Sequence, residues 1–177
     1  AETGNDFGNW QPATKSGMKF HDLNADGVKD AAEPGLGGWT IYVDVDGSGT
    51  FNTGDLSAVT SSAAANLGQY TITGITPGTY NVREVLQAGW TCSFPTGCVY
   101  NETFTSGAAE TGNDFGNWQP ATKSGFKFYD NDRDGSFEPA SPQLDTKLSN
   151  WAIELWWLNG STWQWLATDL TDGTGYS

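Results

Sequence analysis

The chain has 177 residues, a mass of 19.0 kDa and a formal net charge of −13, with 37% apolar and 16% charged residues. Glycine fills 23 positions, which disfavours a helical fold, and no apolar run reaches the ~18 residues that a membrane-spanning helix needs. The acidic balance would repel a phosphate backbone, so nucleic acid is excluded as a partner.

Residues 1–17 read AETGNDFGNWQPATKSG and recur unchanged at 109–125, an offset of 108 residues. The likeness continues as Met18-Lys-Phe-His-Asp22 against Phe126-Lys-Phe-Tyr-Asp130. After four inserted residues, Trp39-Thr-Ile41-Tyr-Val43 answers Trp151-Ala-Ile153-Glu-Leu155. A period of this length suits a whole domain. The expected organisation is a closing strand of a preceding repeat with its linker over 1–16, a complete repeat over 17–120, and a linker with the first half of the next repeat over 121–177. The end at Gly175-Tyr176-Ser177 answers Gly68-Gln-Tyr70-Thr. Either both ends are cuts through a continuous array, which is preferred, or the leading strand of one copy completes the trailing half-domain of the next. Both give a fibre in which the partners are adjacent repeats or copies of the chain.

Within 17–120 the dominant pattern has period two between turn residues. Met18 and Phe20 alternate with Lys19 and His21, which places Lys19 toward solvent. Trp39, Ile41, Val43 and Val45 alternate with Thr40, Tyr42 and Asp44, and Tyr70 and Ile72 with Thr71 and Thr73. Further strands are expected at Tyr80 to Val85, Val99 to Thr105 and Asn113 to Trp118. About seven short strands in ~100 residues predict an all-β, Ig-like sandwich. Ala63 to Ala65 is the one stretch suited to a helical turn.

Three acidic windows have the spacing of cation ligands. Asp22, Asn24, Asp26, Val28, Asp30 and Glu33 occupy positions 1, 3, 5, 7, 9 and 12 of the D-x-[DN]-x-[DN]-G-x₅-E loop, with Gly27 at the sharp bend. Asp44, Asp46, Ser48, Thr50, Asn52 and Asp55 repeat the frame with weaker ligands. Asp130, Asp132, Asp134, Ser136 and Glu138 open a third loop, but Ser141 stands at position 12, so its closing acid has to come from elsewhere, with Asp145 the candidate. Calcium is the expected cation, because magnesium keeps its waters and uses fewer protein ligands. Strands rather than helices are expected to flank each loop.

Cys92 and Cys98 lie across a turn containing Pro95 and Gly97, close enough in sequence for a disulfide, with two free thiols the other possibility. A bridge would place the chain in an oxidising, extracellular compartment.

The run GMKFHDLNADGVKDAAEPGLGGWTIYVDVDGSGTF, followed by LGQYTITGITPGTYNVREVLQAGW, resembles the B repeats of serine-aspartate-repeat bacterial surface proteins. The resemblance covers 17–118 and restarts at 126. It implies calcium-binding, prealbumin-like β-sandwiches, related to the B-type domains of collagen adhesins, that form stalks holding a binding region away from the cell. Cys92, Cys98 and the tryptophan-rich stretch after 150 depart from it. The related adhesin domains often carry a Lys–Asn isopeptide bond assisted by a buried acid. The resemblance implies Glu84 as that acid and Lys19 and Asn113 as candidate partners, although a solvent-facing Lys19 argues against the bond.

Five of nine tryptophans fall in 151–165. Trp151 and Trp165 are expected in the core. Trp156 and Trp157 are adjacent, so at least one is exposed or lies in an interface. A carbohydrate-binding adhesive module, meeting glycans or a host surface ligand on such a face, is the second functional reading. Asn101-Glu-Thr103 and Asn159-Gly-Ser161 match the glycosylation pattern. With a single histidine and no nucleophile paired to a base, the chain is not expected to be an enzyme.

Overall fold

The structure is a computed structural model and describes residues 4, 6–140 and 144–174. Ser141 and Gly175 to Ser177 therefore lie outside the described residues. The chain divides into two units, residues 1–120 and 121–177.

The first unit contains β1 (Ala13–His21), β2 (Thr40–Asp44), β3 (Leu56–Val59), β4 (Gln69–Ile75), β5 (Gly78–Glu84), β6 (Thr91–Phe94), β7 (Val99–Phe104), β8 (Ala109–Glu110) and β9 (Phe115–Trp118). One sheet has the order β4-β1-β9-β6 with β8 also on β1, and the other has the order β3-β2-β5-β7. Between them lies a core of Ala13, Ile41, Val43, Tyr70, Ile72, Ile75, Val82, Phe104 and Phe115. The expected helical turn is a 3₁₀ turn at Ala64–Asn66, and a second 3₁₀ turn spans Thr96–Cys98. Cys92 and Cys98 are joined as a disulfide.

The phase of β1 is inverted relative to the alternation of its apolar residues. Ala13, Lys15 and Lys19 are wholly buried on the face turned to the opposite sheet. Phe20 is buried too, on the other face, where the chain at Gly35 bridges to it and Phe94 packs on its ring. The expectation of a solvent-facing Lys19 is therefore overturned. Both faces of β1 are covered, and a lysine reaches the interior because an acid on the facing sheet meets it.

β1 and β9, near the two ends of the unit, run side by side and parallel, with Lys19 opposite Phe115, Phe20 opposite Gly116 and His21 opposite Asn117. The ring of Phe20 lies where a side chain on Gly116 would begin. That close approach is why the strand reads Phe-Gly-Asn-Trp.

The second unit contains β10 (Phe128–Tyr129) paired with β11 (Thr146–Lys147), and a hairpin of β12 (Ala152–Asn159) and β13 (Thr162–Leu170). Trp151 and Trp165, expected in the core, are 50% and 55% exposed, and Trp156 and Trp157 are also exposed. Among the described residues, nothing covers either face of this hairpin as the opposite sheet covers β2.

Gly116→Ala should destabilise the first unit by ~1–3 kcal/mol, because the buried Phe20 ring has no room to yield. Urea denaturation of the two chains checks this, and equal midpoints would contradict it.

Candidate functional site

The three acidic loops close in the same way. The position-1 carboxylate accepts from the position-6 N–H: Asp22 from Gly27 at 2.8 Å, Asp44 from Gly49 at 3.0 Å, and Asp130 from Gly135 at 3.0 Å. The closing acid is gripped by two backbone N–H groups, at positions 2 and 9. Glu33 accepts from Leu23 and Asp30, and Asp55 from Val45 and Asn52. In the third loop this place belongs to Asp145, which accepts from Asn131 at 2.9 Å and Glu138 at 3.1 Å. Asp145 reaches it from beyond position 12, an excursion that no local motif encodes.

Carboxylate oxygens of Asp44, Asp46 and Asp55 lie within 4.8 Å of one another, as do those of Asp130, Asp132 and Asp134. In the second loop the Thr50 carbonyl turns inward, accepting from the Ser48 hydroxyl at 3.0 Å and from the Asn52 amide. The N–H of Ser48, then its hydroxyl and the Asn52 amide, hold the Asp46 carboxyl below its usual range. In the first loop Asn24 donates to Asp26 and Asp30 and the Val28 N–H donates to Asp26, and in the third loop the Ser136 N–H donates to Asp134. Burial, and then repulsion from Asp134, Asp132, Asp145 and Asp130, pushes the Glu138 carboxyl up. The donors are all hard oxygens crowded around exposed turns, a set that fits a divalent cation of the calcium type.

A second constellation lies inside the sandwich. Lys19 Nζ is 3.1 Å from the Glu84 carboxylate on β5 and 3.2 Å from the Phe115 carbonyl, and it donates to Asn117 Oδ1 on β9. The Trp39 ring stands 4.5 Å from the same nitrogen. Lys19 and Asn117 are fully buried, Glu84 nearly so, and Asn117 Nδ2 has no hydrogen-bond partner. Burial pushes the Lys19 ammonium down to about 8, against the opposing charge and hydrogen bond of Glu84. The nearby asparagine is thus Asn117 and not the expected Asn113. Asn113 is also buried, but its backbone carbonyl accepts from the Tyr70 hydroxyl at 2.6 Å. The two differ by four residues on one face of the strand, and only the parallel register on β1 chooses between them. A second pair, of the buried Lys15 with the partly exposed Glu102 at 2.9 Å, links the sheets further along β1.

The SdrD B-like domain family matches residues 17–123. The chain belongs to this family. SdrD B-like domains are structural domains of bacterial surface proteins. Weak likenesses extend to solved structures, among them the following three. The minor pilin GBS52 of Streptococcus agalactiae is 16% identical with a TM-score of 0.44, covering 64% of this chain and 47% of that one. The TIE protein of Bacillus anthracis is 18% identical with a TM-score of 0.40, covering 94% and 25%. The major pilin SpaD of Corynebacterium diphtheriae is 15% identical with a TM-score of 0.38, covering 74% and 36%. The chain thus spans less than half the length of each of them. Comparison with curated proteins gives no match. No helix among the described residues is long and apolar enough to cross a membrane.

The buried amine sets a pH dependence. In an Asn117→Ala chain Lys19 keeps the surroundings that depress it. Between about pH 8 and the ordinary lysine value of 10.5 the unfolded chain holds a proton that the folded chain has lost, so stability should rise with pH. The slope should approach ~1.4 kcal/mol per pH unit. It should reverse above about pH 10, where the unfolded chain ionises tyrosines that burial keeps neutral at Tyr70 and Tyr100. Urea midpoints measured from pH 7 to 11 check this, and a flat or falling profile between 8 and 10 would count against it.

Proposed function

We propose that the chain is a load-bearing part of an extracellular stalk on a bacterial cell surface, stiffened by calcium in its loops and locked by an amide bond between Lys19 and Asn117. The observation that carries this reading is the Lys19, Glu84 and Asn117 contact. It holds a buried amine, whose charge burial disfavours, against a side-chain amide, away from water, with the Glu84 carboxylate beside the amine.

The chemistry needs no further reactant. A proton passes from the Lys19 ammonium to Glu84, and the freed amine attacks Cγ of Asn117. The bond from Cγ to the amide nitrogen breaks as the new amide forms. Of the ammonium's three protons one stays on the new amide nitrogen. The other two leave with the displaced NH₂, one by way of Glu84, so ammonium departs and Glu84 is returned as the carboxylate. Burial serves the step twice, by disfavouring the charged amine and by excluding the water that would hydrolyse the intermediate.

Placement explains the use. Lys19 and Asn117 are 98 positions apart in sequence but sit on neighbouring strands at the two ends of the unit. A bond between them carries tension from the entering strand straight to the leaving one and bypasses everything between. The acidic loops lie outside that path, where bound calcium would relieve the repulsion among their carboxylates and stiffen the turns.

Intact-mass measurement of the purified chain should give a value one ammonia below that of the sequence with its disulfide formed. Asn117→Ala and Glu84→Ala chains should show their full mass and melt at lower temperature. Full mass in the folded parent chain would remove the bond from the proposal. Separately, millimolar calcium should raise the melting temperature over that in chelator, with affinities of roughly 10⁻⁴–10⁻³ M, and Asp46→Ala should lose part of the rise. Superimposable melting curves with and without calcium would exclude the cation.

A further inference from the structure

The Cys92–Cys98 bridge stands at one side of the sandwich, level with the buried amine. β6 is the last strand of one sheet and pairs with β9, and β7 is the last strand of the other and pairs with β5. The turn from Pro95 to Cys98 joins these two edges, and the bridge crosses that corner with its Cα atoms 6.2 Å apart.

Register places each cysteine beside one member of the Lys19 constellation. Cys92 is the partner of Asn117 across β6 and β9. Partners in an antiparallel register share a face, so Cys92 turns with Asn117 toward the opposite sheet. On that sheet Arg83 pairs with Val99, the first residue of β7, so the next step along the ladder brings Cys98 level with Glu84. Arg83 turns away to Asp44, whereas Glu84 turns inward to Lys19. The bridge therefore closes the gap between the sheets where one wall carries the amide and the other the carboxylate.

The loop it closes is too short to matter much in the unfolded chain. A disulfide stabilises chiefly by restricting the unfolded ensemble, and the gain shrinks with loop length. Only six positions separate these two cysteines. What remains is a local effect on two edge strands, each held by one ladder, the kind of element that opens locally while the rest stays folded. Opening them would admit water to Lys19, Glu84 and Asn117 and let Asn117 move off the amine. Both cysteines are partly exposed, so a thiol or disulfide in solution reaches them.

We propose that the Cys92–Cys98 bridge gates the amide bond: the bond between Lys19 and Asn117 forms once the disulfide has closed the edge, and waits in the reduced chain. This rests on the amide-bond reading above and adds the order of the two steps. In the first step the two thiols give two protons and two electrons to a small disulfide such as oxidised glutathione, which becomes two thiols. In the second, Lys19 displaces ammonia from Asn117 as described, with no oxidant. Locking is thereby tied to compartment: reducing surroundings leave the unit extensible, and oxidising ones lock it. The dependence runs one way, because the cysteines are joined through a turn of their own and need no amide bond to meet.

Cell-free translation of the full chain in reductant separates the two steps. The chain should keep its full mass while reduced. After oxidised glutathione is added it should lose one ammonia at least about tenfold faster, as expected when a reacting group is released from misplacement. The circular dichroism of the sheets should be the same before and after, so that the delay reflects the edge and not a missing fold. Joining the two thiols through a methylene group, with reductant present, should restore the fast loss, because closure and not oxidation is what the site needs. In a Glu84→Ala chain the disulfide should form at the parent rate with no ammonia lost. Equal rates of ammonia loss in the reduced and oxidised chains would overturn the gate and leave the amide bond standing. A methylene-bridged chain as slow as the reduced one, or a reduced chain that has lost its sheets, would overturn it too. An oxidised chain that never loses ammonia would remove the amide bond itself, and the gate with it.

Discussion

A buried ammonium group has to be matched by everything around it, and Lys19 is matched from both sheets at once. Glu84 comes from β5, the Trp39 ring from just before β2, and the Asn117 side chain and Phe115 carbonyl from β9. Removing one partner of such a group while leaving the other buried typically costs ~3–5 kcal/mol, so the contact fixes which strands meet and in what register. The pair of Lys15 with Glu102 repeats the device further along β1. Two charged contacts across the sandwich pin the first strand against β5 and β7. An all-apolar face could slide with little penalty, but this one cannot.

The acidic loops answer a different electrostatic problem. Carboxylates crowded into a tight turn repel one another, and the chain offsets part of that with backbone N–H groups. Each loop spends its position-6 N–H on the first acid and two more on the closing acid. The remaining oxygens of the second and third loops are close to one another, and those of Asp46, Asp132 and Asp134 are exposed to solvent. The loops are therefore preorganised by the backbone, which leaves side-chain oxygens without a backbone partner. β strands lead into them where helices would flank an EF-hand, and the same turn geometry serves.

The two units show what burial contributes at residues that match in position. Trp39 and Trp151, or Ile41 and Ile153, are matching residues on matching strands, yet one of each pair is inside and the other half outside. The difference lies in the strands that face them. A hairpin of alternating large apolar residues forms readily, but hydrophobic stabilisation depends on area removed from water, and a two-stranded ribbon removes little by itself.

The fold class, the sequence repeat, the family and the frames of the acidic loops were legible in the sequence, because each of these is written in local spacing. Alternation with period two, Gly and Pro at turns, and acids at fixed offsets are all read within a dozen residues. Cys92 and Cys98 were legible for the same reason, and their bridge is local. Asp145 was legible as the closing acid of the third loop, and its two backbone N–H contacts bear that out. The tertiary structure alone decided the phase of β1 and the choice of Asn117 over Asn113. In β1 the apolar residues Met18 and Phe20 named the wrong inner face, since a lysine can be buried when an acid from another sheet neutralises it. Asn117 is selected by a parallel pairing between strands nearly a hundred residues apart. Such choices depend on which distant groups come together, and no window of sequence holds both partners.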